Sequence, residues 1–385
     1  MSLLKKRSTY YPYVAGIILA AYTYFFYFIL PQVSSLYDAI LNITFLFFLL
    51  FIFISAYNFS GDFKSYVLEE RTVLIILVLW FLITFFGYYF KGLFLDNPNY
   101  YSFLSRNFYY LMFMVLLVSF VNQQAVEKMM VSVYFIYFLY GVTLIPGLME
   151  AEKLGELPVI NKNVVGFFLI PFLAYLLIRL QHRKWWMIGW YVVGGILLYF
   201  TGARTSFAAY LLLPIFIGGV KLFKQNLRLF YTFYLLASFI FVYIIAFIIY
   251  PDHQEVNTLF TQRVVLWREY LSFMFETKSV LIGTGVTTLP DLLTQAGLRP
   301  TLHPHNQFVT MFVFNGVVGL FFFLAFILFS IPKKVSKILP SDAVIFSIIT
   351  ILFAEALIPL FDFFFLSFVF TINLLINRML HKTSS

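Results

Sequence analysis

Cysteine is absent from this 385-residue chain, and charged residues make up only 11% of it. Without cysteine there is no disulfide framework, no thiolate metal site and no cysteine nucleophile. An average soluble domain has about 25% charged residues. The scarcity of charge and the 62% hydrophobic composition therefore predict a polytopic membrane protein. The net charge of +9 reflects basic loops on one side of a membrane and does not indicate nucleic-acid binding.

Metal-binding patterns are also missing from the sequence. No Asp-x-Asp pair occurs anywhere, and no His, Asp and Glu residues cluster at metal-ligand spacing on the predicted outer side. A mechanism without a metal or a cofactor is therefore the simpler expectation for any chemistry on this chain.

Apolar segments long enough to cross a bilayer recur along the whole chain. We expect an all-α fold with about 12 transmembrane helices in a single membrane domain over residues 1–385. Lys5, Lys6 and Arg7 precede the first segment, and the C-terminal tail is basic, so both termini are expected in the cytoplasm. The predicted spans are residues 11–30, 36–56, 72–90, 103–121, 129–148, 163–180, 186–201, 205–220, 229–250, 306–331, 343–358 and 360–377.

The longest polar interval runs from Pro251 to His305, between the ninth and tenth predicted spans. With both termini inside, this interval faces the outside of the cell, where neither ATP nor a nucleotide sugar is available. We therefore predict an extracytoplasmic catalytic loop over residues 251–305. The free energy that drives any reaction there must arrive in the substrate, for example as an activated group carried on a lipid.

Two arginines on the outer side are candidates for binding phosphate. Arg204 stands in a tight turn before the eighth span, where a helix N-terminus and a planar guanidinium both suit an anion. The alternative is an arginine that only anchors the chain at the membrane boundary. Arg263 opens a predicted amphipathic helix over residues 261–274. It shares a face there with Trp267 and Tyr270, which suit a sugar ring or a lipid headgroup. This helix can also be read as a segment lying flat on the bilayer.

His305 is the candidate general base, because an imidazole titrates near neutral pH. A histidine that only caps a helix or lies at the interface is the alternative. If a helix begins at His305, then Gly316 and Gly319 share its face and let another helix approach closely. Asn306 follows His305 directly and is a candidate for contact with substrate.

Four further polar residues lie near the ends of predicted spans. Asn161 and Asn163 open the sixth span, where they either cap the helix or line the site. Glu355 and Asp362 lie near the outer ends of the last two spans. They are second-tier candidates, because charged residues at membrane depth are costly and are often functional.

The order of these residues along the chain resembles the pattern of the O-antigen ligase/polymerase superfamily. Its members are bacterial membrane glycosyltransferases that ligate or polymerise polyprenyl-linked glycans. The similarity covers roughly residues 160–330. Two positions depart from the usual pattern: Ala203 stands where many members have Ser, and Leu320 stands where ligases often have Thr. The matching residues are Asn161, Asn163, Gly202-Ala203-Arg204, Arg263, Trp267, Gly283-Thr284-Gly285, His305-Asn306, Gly316 and Gly319.

The resemblance implies a GT-C-like helical fold in the bacterial inner (plasma) membrane, with the long extracytoplasmic loop between helices 9 and 10. It implies an inverting, metal-independent transfer from an undecaprenyl-diphosphate-linked glycan donor, without a cofactor. The acceptor is another glycan or lipid A core, and a chain-length regulator is expected as a further partner. The implied catalytic residues are His305, Arg204 and Arg263, and the expected substrate-binding residues are Asn161, Asn163, Trp267, Tyr270 and Asn306.

Four functions compete at this stage. We favour a polymerase that extends lipid-linked repeat units into an O-antigen, a capsule or an exopolysaccharide. A ligase that moves a finished glycan to lipid A core is the second reading, because both enzymes use the same residues. A lipid-glycan transporter would place its polar residues at mid-membrane, whereas here they concentrate outside the membrane. A peptidoglycan polymerase of the shape-and-division type fits the ordered motifs less well.

Overall fold

The structure is a computed structural model of the chain. It describes residues 2–24, 37–58, 61–92, 111–154, 161–253, 263–284, 305–355 and 365–384, with Glu255 and Phe260. Within these ranges the secondary-structure elements are all helices. The predicted all-α architecture is therefore confirmed for the described part of the chain. The α-helices are α1 (Ser2–Tyr24), α2 (Tyr37–Asn58), α3 (Phe63–Gly92), α4 (Leu111–Phe120), α5 (Gln123–Leu154), α6 (Lys162–Arg179), α7 (Lys184–Thr201), α8 (Arg204–Leu211), α9 (Leu213–Leu222), α10 (Leu227–Tyr243), α11 (Arg263–Glu276), α12 (Gln307–Ser330), α13 (Pro340–Leu352) and α14 (Phe365–Ser384). A π-helical turn (Ile244–Ile249) continues α10.

Five segments in the described ranges are long and apolar enough to cross a membrane. Their composition fits an integral membrane protein with several spans. The number of twelve spans stays a prediction. The five segments are Gln123–Ala151, Lys162–Arg179, Arg204–Leu222, Leu227–Ile249 and Gln307–Ser330.

The eighth predicted span is divided in the structure. It forms two helices, α8 and α9, with Leu212 between them and Pro214 in the first turn of α9. Proline has no backbone N–H and its ring crowds the preceding turn, so Pro214 removes one hydrogen bond of the helical ladder at this point. As a result Arg204 opens a short eight-residue helix.

Helix α6 is the centre of the part of the bundle that positions the site. Its apolar residues are almost completely buried, among them Val165, Leu169 and Leu173. The helix packs against α5, α7, α8 and α13. Its first turn therefore reaches both the α7–α8 turn, which holds Arg204, and the end of α13.

Helix α11 is embedded in the protein, and its two faces join two apolar clusters. Tyr270 belongs to a buried cluster with Phe312 and Val313 of α12. Trp267 belongs to a second cluster with Val242 of α10 and Ala246 of the π-helical turn that follows it. This packing fixes Arg263, at the first position of α11, against the rest of the bundle.

Candidate active site

Glu355 brings together three residues that are far apart in the sequence. It lies three residues beyond the end of α13. Its Oε1 atom is 2.5 Å from Arg263 Nη2 and accepts a hydrogen bond from Asn163 Nδ2 at 2.9 Å. Its other oxygen, Oε2, is 3.6 Å from His305 Nδ1. One carboxylate thus links the starts of α6, α11 and α12.

Three of these side chains differ in their access to solvent. The exposed fraction is 13% for the Arg263 side chain and 10% for Glu355, whereas the His305 side chain is 42% exposed. Charge interactions are stronger where water is excluded. The cluster therefore combines an ion pair that is shielded from solvent with an imidazole that is partly exposed. Since Nδ1 faces Glu355, the other ring nitrogen, Nε2, lies at the opposite edge of the ring.

Asn306 fixes the position of His305 and uses its own side chain to do so. Its Oδ1 accepts hydrogen bonds from the backbone N–H groups of Phe308 (3.0 Å) and Val309 (3.1 Å), which caps α12. Its Nδ2 donates to the Phe353 carbonyl at 2.8 Å, two residues before Glu355. The predicted contact of Asn306 with substrate finds no support in this geometry, because the side chain is buried and its hydrogen bonds are internal.

The helix begins at Gln307, and His305 lies outside it in a left-handed conformation (φ 49°). The expectation that a helix starts at His305 is therefore wrong by two residues. The left-handed region is rarely adopted by residues other than glycine, and such residues often occur at functional sites. The imidazole is consequently aimed by a turn that is held by Asn306, and the helix periodicity does not set its direction.

The role expected for Gly316 is also corrected. Gly316 (φ 66°) interrupts α12, and the backbone of residues 280–284 lies against the break. The N–H of Val317 donates to the Val280 carbonyl at 2.8 Å, and the N–H of Thr284 donates to the Val313 carbonyl at 2.8 Å. A Cβ on Gly316 would lie 2.2 Å from the Leu281 carbonyl oxygen. The glycine therefore admits a loop backbone at this point, where we expected another helix.

Arg204 lines a pocket of about 690 Å³ at the same end of the bundle. Helix α7 ends at Gly202 in a left-handed conformation (φ 66°), and Arg204 then opens α8 with an exposed side chain. Lys153 and Lys162 line the same pocket, together with the rings of Tyr199, Phe200 and Phe207. Within the described ranges, no carboxylate forms an ion pair with Arg204. The pocket thus combines cationic and aromatic groups, a combination that suits a phosphorylated lipid or glycan.

The first turn of α6 connects this pocket to the Glu355 cluster. Asn161 is the N-cap of α6, and its side chain accepts a hydrogen bond from the Asn163 N–H at 2.9 Å. The capping role that the sequence left open is therefore observed for Asn161. Lys162 lines the Arg204 pocket, and the next residue, Asn163, contacts Glu355. The two groups of candidate residues therefore meet at two consecutive positions of one helix.

Trp267 and Tyr270 do not join this arrangement. Their exposed fractions are 2% and 1%, and the rings pack inside the two apolar clusters of α11. The predicted shared face with Arg263 is therefore directed into the protein. The predicted contact of these rings with substrate finds no support in this geometry.

Residues 189–324 match the sequence profile of a family described as O-antigen ligase. The match confirms the resemblance to the O-antigen ligase/polymerase superfamily. It supports an enzyme with an O-antigen ligase/polymerase-type function. No curated protein matches the chain.

The O-antigen ligase match covers Arg204, Arg263 and His305, but Asn163 and Glu355 lie outside it. The sequence alone gives Glu355 no more weight than Asp362, although Glu355 is the carboxylate at the centre of the cluster. Its only sequence signal was a carboxylate near the end of an apolar segment. Lys162 gave no signal beyond its place next to the two asparagines. Asp362, Gly285 and His303 lie outside the described residues.

Proposed function

We propose that this chain is a membrane glycosyltransferase that polymerises undecaprenyl-diphosphate-linked oligosaccharide repeat units. The observation on which the proposal rests is the Glu355 cluster, in which a half-exposed imidazole faces a shielded arginine–carboxylate pair. Beside this cluster, the Arg204 pocket offers three cationic side chains for an anionic leaving group.

In the proposed reaction, an acceptor hydroxyl attacks the anomeric carbon of the donor from the face opposite the diphosphate. The new bond joins the acceptor oxygen to that carbon, and the bond from the carbon to the diphosphate oxygen breaks with inversion. His305 Nε2 takes the hydroxyl proton, and the Glu355 carboxylate stabilises the imidazolium that forms. Arg204 and Lys162 compensate the negative charge that grows on the departing diphosphate.

Arg263 has a different role in this proposal from the one that the resemblance implies. Its Nη2 atom is bound to the Glu355 carboxylate, so part of its hydrogen-bonding capacity is used inside the protein. We assign it to positioning: it holds Glu355 in place for His305. The other N–H groups of its guanidinium can still donate hydrogen bonds to the diphosphate.

A ligase is the second candidate, and the description of the matching family favours it. In that case the donor is the finished glycan on the same lipid carrier, and the acceptor is lipid A core. The residues and steps above are unchanged, because only the source of the attacking hydroxyl differs. Under either function the chain is expected in the inner membrane with the site on the extracytoplasmic side.

The test is a reconstitution in nanodiscs with a purified undecaprenyl-diphosphate-linked repeat unit. A polymerase produces a ladder of longer lipid-linked glycans from the donor alone. A ligase produces no ladder and forms a new product only when lipid A core is added. If neither product forms while the protein is folded and the donor is bound, the proposed activity is excluded.

Substitution of His305 provides the control within this experiment. His305→Ala removes the proposed base, which contributes about 10²–10⁴-fold to a rate. Arg268→Ala is the matched variant, because Arg268 is on α11 but lies over the Tyr250 ring, with its Cζ atom 6.0 Å from the ring centroid. We expect the first variant to lose nearly all glycan transfer and the second to keep most of it. Full activity of His305→Ala would remove this residue from the mechanism.

A further inference from the structure

A second pocket, of about 310 Å³, lies at the opposite end of the bundle. Helix α12 begins next to the Glu355 cluster and ends next to this pocket. A helix of its 24 residues spans roughly 30–36 Å, so the two sites are separate. The lining consists of Arg228, Pro332, Lys333, Lys334, Val335, Ser336, Arg378, His381 and Lys382.

The loop that forms one wall of this pocket is fixed to its surroundings. Arg228 donates two hydrogen bonds to the Ile331 carbonyl, from Nε at 3.1 Å and from Nη2 at 2.9 Å. The N–H of Val335 donates to the Gln225 carbonyl at 3.1 Å. At the end of the loop, Asp342 Oδ2 accepts a hydrogen bond from the Leu339 N–H at 2.7 Å. The backbone that holds Lys333 and Lys334 is therefore in place before any ligand arrives.

The pocket has more positive charge than its neighbours neutralise. Among its five Arg and Lys side chains, Arg378 pairs with Glu70 at 3.3 Å, and Lys382 pairs with Glu69. The other three, Arg228, Lys333 and Lys334, have no carboxylate partner among the described residues. The pocket histidine, His381, is paired with the Asp342 carboxylate at 3.1 Å. Three cations without a carboxylate partner therefore remain around one small cavity, and an anion in the cavity would relieve their mutual repulsion.

An exposed aromatic ring at the edge of the pocket indicates what kind of anion it binds. Phe329 is 41% exposed, and the Arg228 guanidinium lies over its ring, with Cζ 5.3 Å from the ring centroid. Arg228 is in the first turn of α10 and Phe329 is in the last turn of α12, both of which are candidate membrane spans. A ligand here therefore meets cations and an apolar surface side by side, as a lipid does at the membrane boundary.

We propose that this pocket binds the phosphate headgroup of an anionic phospholipid. Lys333, Lys334 and Arg228 contact the phosphate oxygens, and the acyl chains lie along the apolar face that includes Phe329. Basic pockets between membrane helices are known to bind lipid headgroups in this way. The proposal is independent of the glycosyltransferase function, since it uses none of the residues assigned there.

The test measures lipid binding to the full chain purified in detergent. Phosphatidylglycerol, phosphatidylcholine and inorganic phosphate are added separately, and bound lipid is counted by native mass spectrometry. We expect phosphatidylglycerol to bind, phosphatidylcholine to bind at least about tenfold more weakly, and phosphate not to compete at equal concentration. Equal binding of the two lipids would overturn the proposal. Efficient competition by phosphate would also overturn it, because the pocket would then be a general anion site.

Two double variants distinguish lipid binding by the pocket from attraction by the overall positive charge at this end of the bundle. Lys333→Gln with Lys334→Gln removes two pocket charges, and both side chains are exposed. Lys221→Gln with Lys337→Gln removes two exposed charges at the same end, outside the pocket lining. We expect the first pair to weaken phosphatidylglycerol binding about tenfold or more and the second pair to change it little. An equal loss in both pairs would mean that net charge alone attracts the lipid, which contradicts the proposal.

Discussion

Arg204 and Arg263 are the same residue type at the same end of the bundle, yet their surroundings differ. Arg204 is exposed in a pocket with two lysines, and no carboxylate pairs with it among the described residues. The Arg263 side chain is 13% exposed and is paired with Glu355 at 2.5 Å. One guanidinium is therefore open to a ligand, whereas the other is engaged inside the protein.

This difference separates binding from positioning. A phosphate that enters the Arg204 pocket gains contacts without breaking an internal ion pair. The same phosphate would have to compete with a carboxylate for Arg263, and the Glu355 oxygen is also held by Asn163. The pair at Arg263 is better placed to orient His305 than to neutralise a leaving group. Substitutions at the two positions should therefore affect stability and activity in different proportions.

The largest effect is expected for Glu355→Ala. Removing one partner of a shielded ion pair leaves the other charge uncompensated, which typically costs about 3–5 kcal/mol. The variant should also lower transfer by about 10²–10⁴-fold, because the proposed base loses the group that orients it. Melting temperature in detergent and the rate of glycan transfer measure the two losses separately. A variant that melts normally and transfers glycan at the original rate would show that the cluster has neither role.

A double substitution sharpens this result. Arg263→Met with Glu355→Met replaces the ion pair with unbranched apolar side chains, and replacing both members of a buried pair by apolar residues is often neutral or stabilising. We expect the melting temperature to return towards that of the unchanged protein while glycan transfer stays lost. If transfer also returns, the pair serves only stability and does not position His305.

A smaller effect on activity, and none on stability, is expected for Arg204→Ala. Loss of one charge-stabilising donor typically lowers a rate by about 10²–10³-fold. The melting temperature should stay unchanged, since this side chain is exposed and makes no ion pair within the described ranges. Arg204→Lys should recover only part of the rate, because an ammonium cannot form the two parallel hydrogen bonds of a guanidinium. Glycan transfer measured at saturating donor distinguishes the three proteins, and a drop in melting temperature for Arg204→Ala would contradict the proposed division of roles.

Much of this arrangement was predictable from residue types and hydrophobic segments. The tenth span was predicted at residues 306–331, and α12 runs from Gln307 to Ser330. Arg204, Arg263 and His305 were singled out because guanidinium and imidazole groups at the outer ends of helices suit phosphate chemistry. Their assignment to the site remains a prediction, but the structure brings Arg263 and His305 to the same carboxylate.

Other features were not predictable, for physical reasons. The contact between Glu355 and Arg263 joins positions 92 residues apart, and a charge near the end of an apolar segment does not reveal its partner. The break at Gly316 is hidden because the apolar sequence around it is continuous with a helix. Trp267 shares a predicted face with Arg263, but periodicity alone cannot tell which face of an embedded helix meets solvent.

The smallest effect is expected for Asn163→Ala, and it tests whether the Arg204 pocket and the Glu355 cluster act together. Asn163 donates one hydrogen bond to Glu355, and a hydrogen bond to a charged group contributes about 1.5–3 kcal/mol. The carboxylate keeps its pairing with Arg263, so we expect transfer to fall by about 10- to 100-fold, which is less than for Glu355→Ala. Asn161→Ser is the matched control, because serine also caps a helix and leaves Asn163 in place.

The combination of Asn163→Ala with Arg204→Ala decides the question. If the first turn of α6 couples the two groups, either single substitution already disturbs both of them. The rate of glycan transfer in the double variant should then fall by less than the product of the two single losses. If the losses multiply, the pocket and the cluster are independent, and Lys162 and Asn163 are neighbours without a shared role. A control variant with Asn161→Ser that is as poor as Asn163→Ala would instead assign the effect to the helix cap.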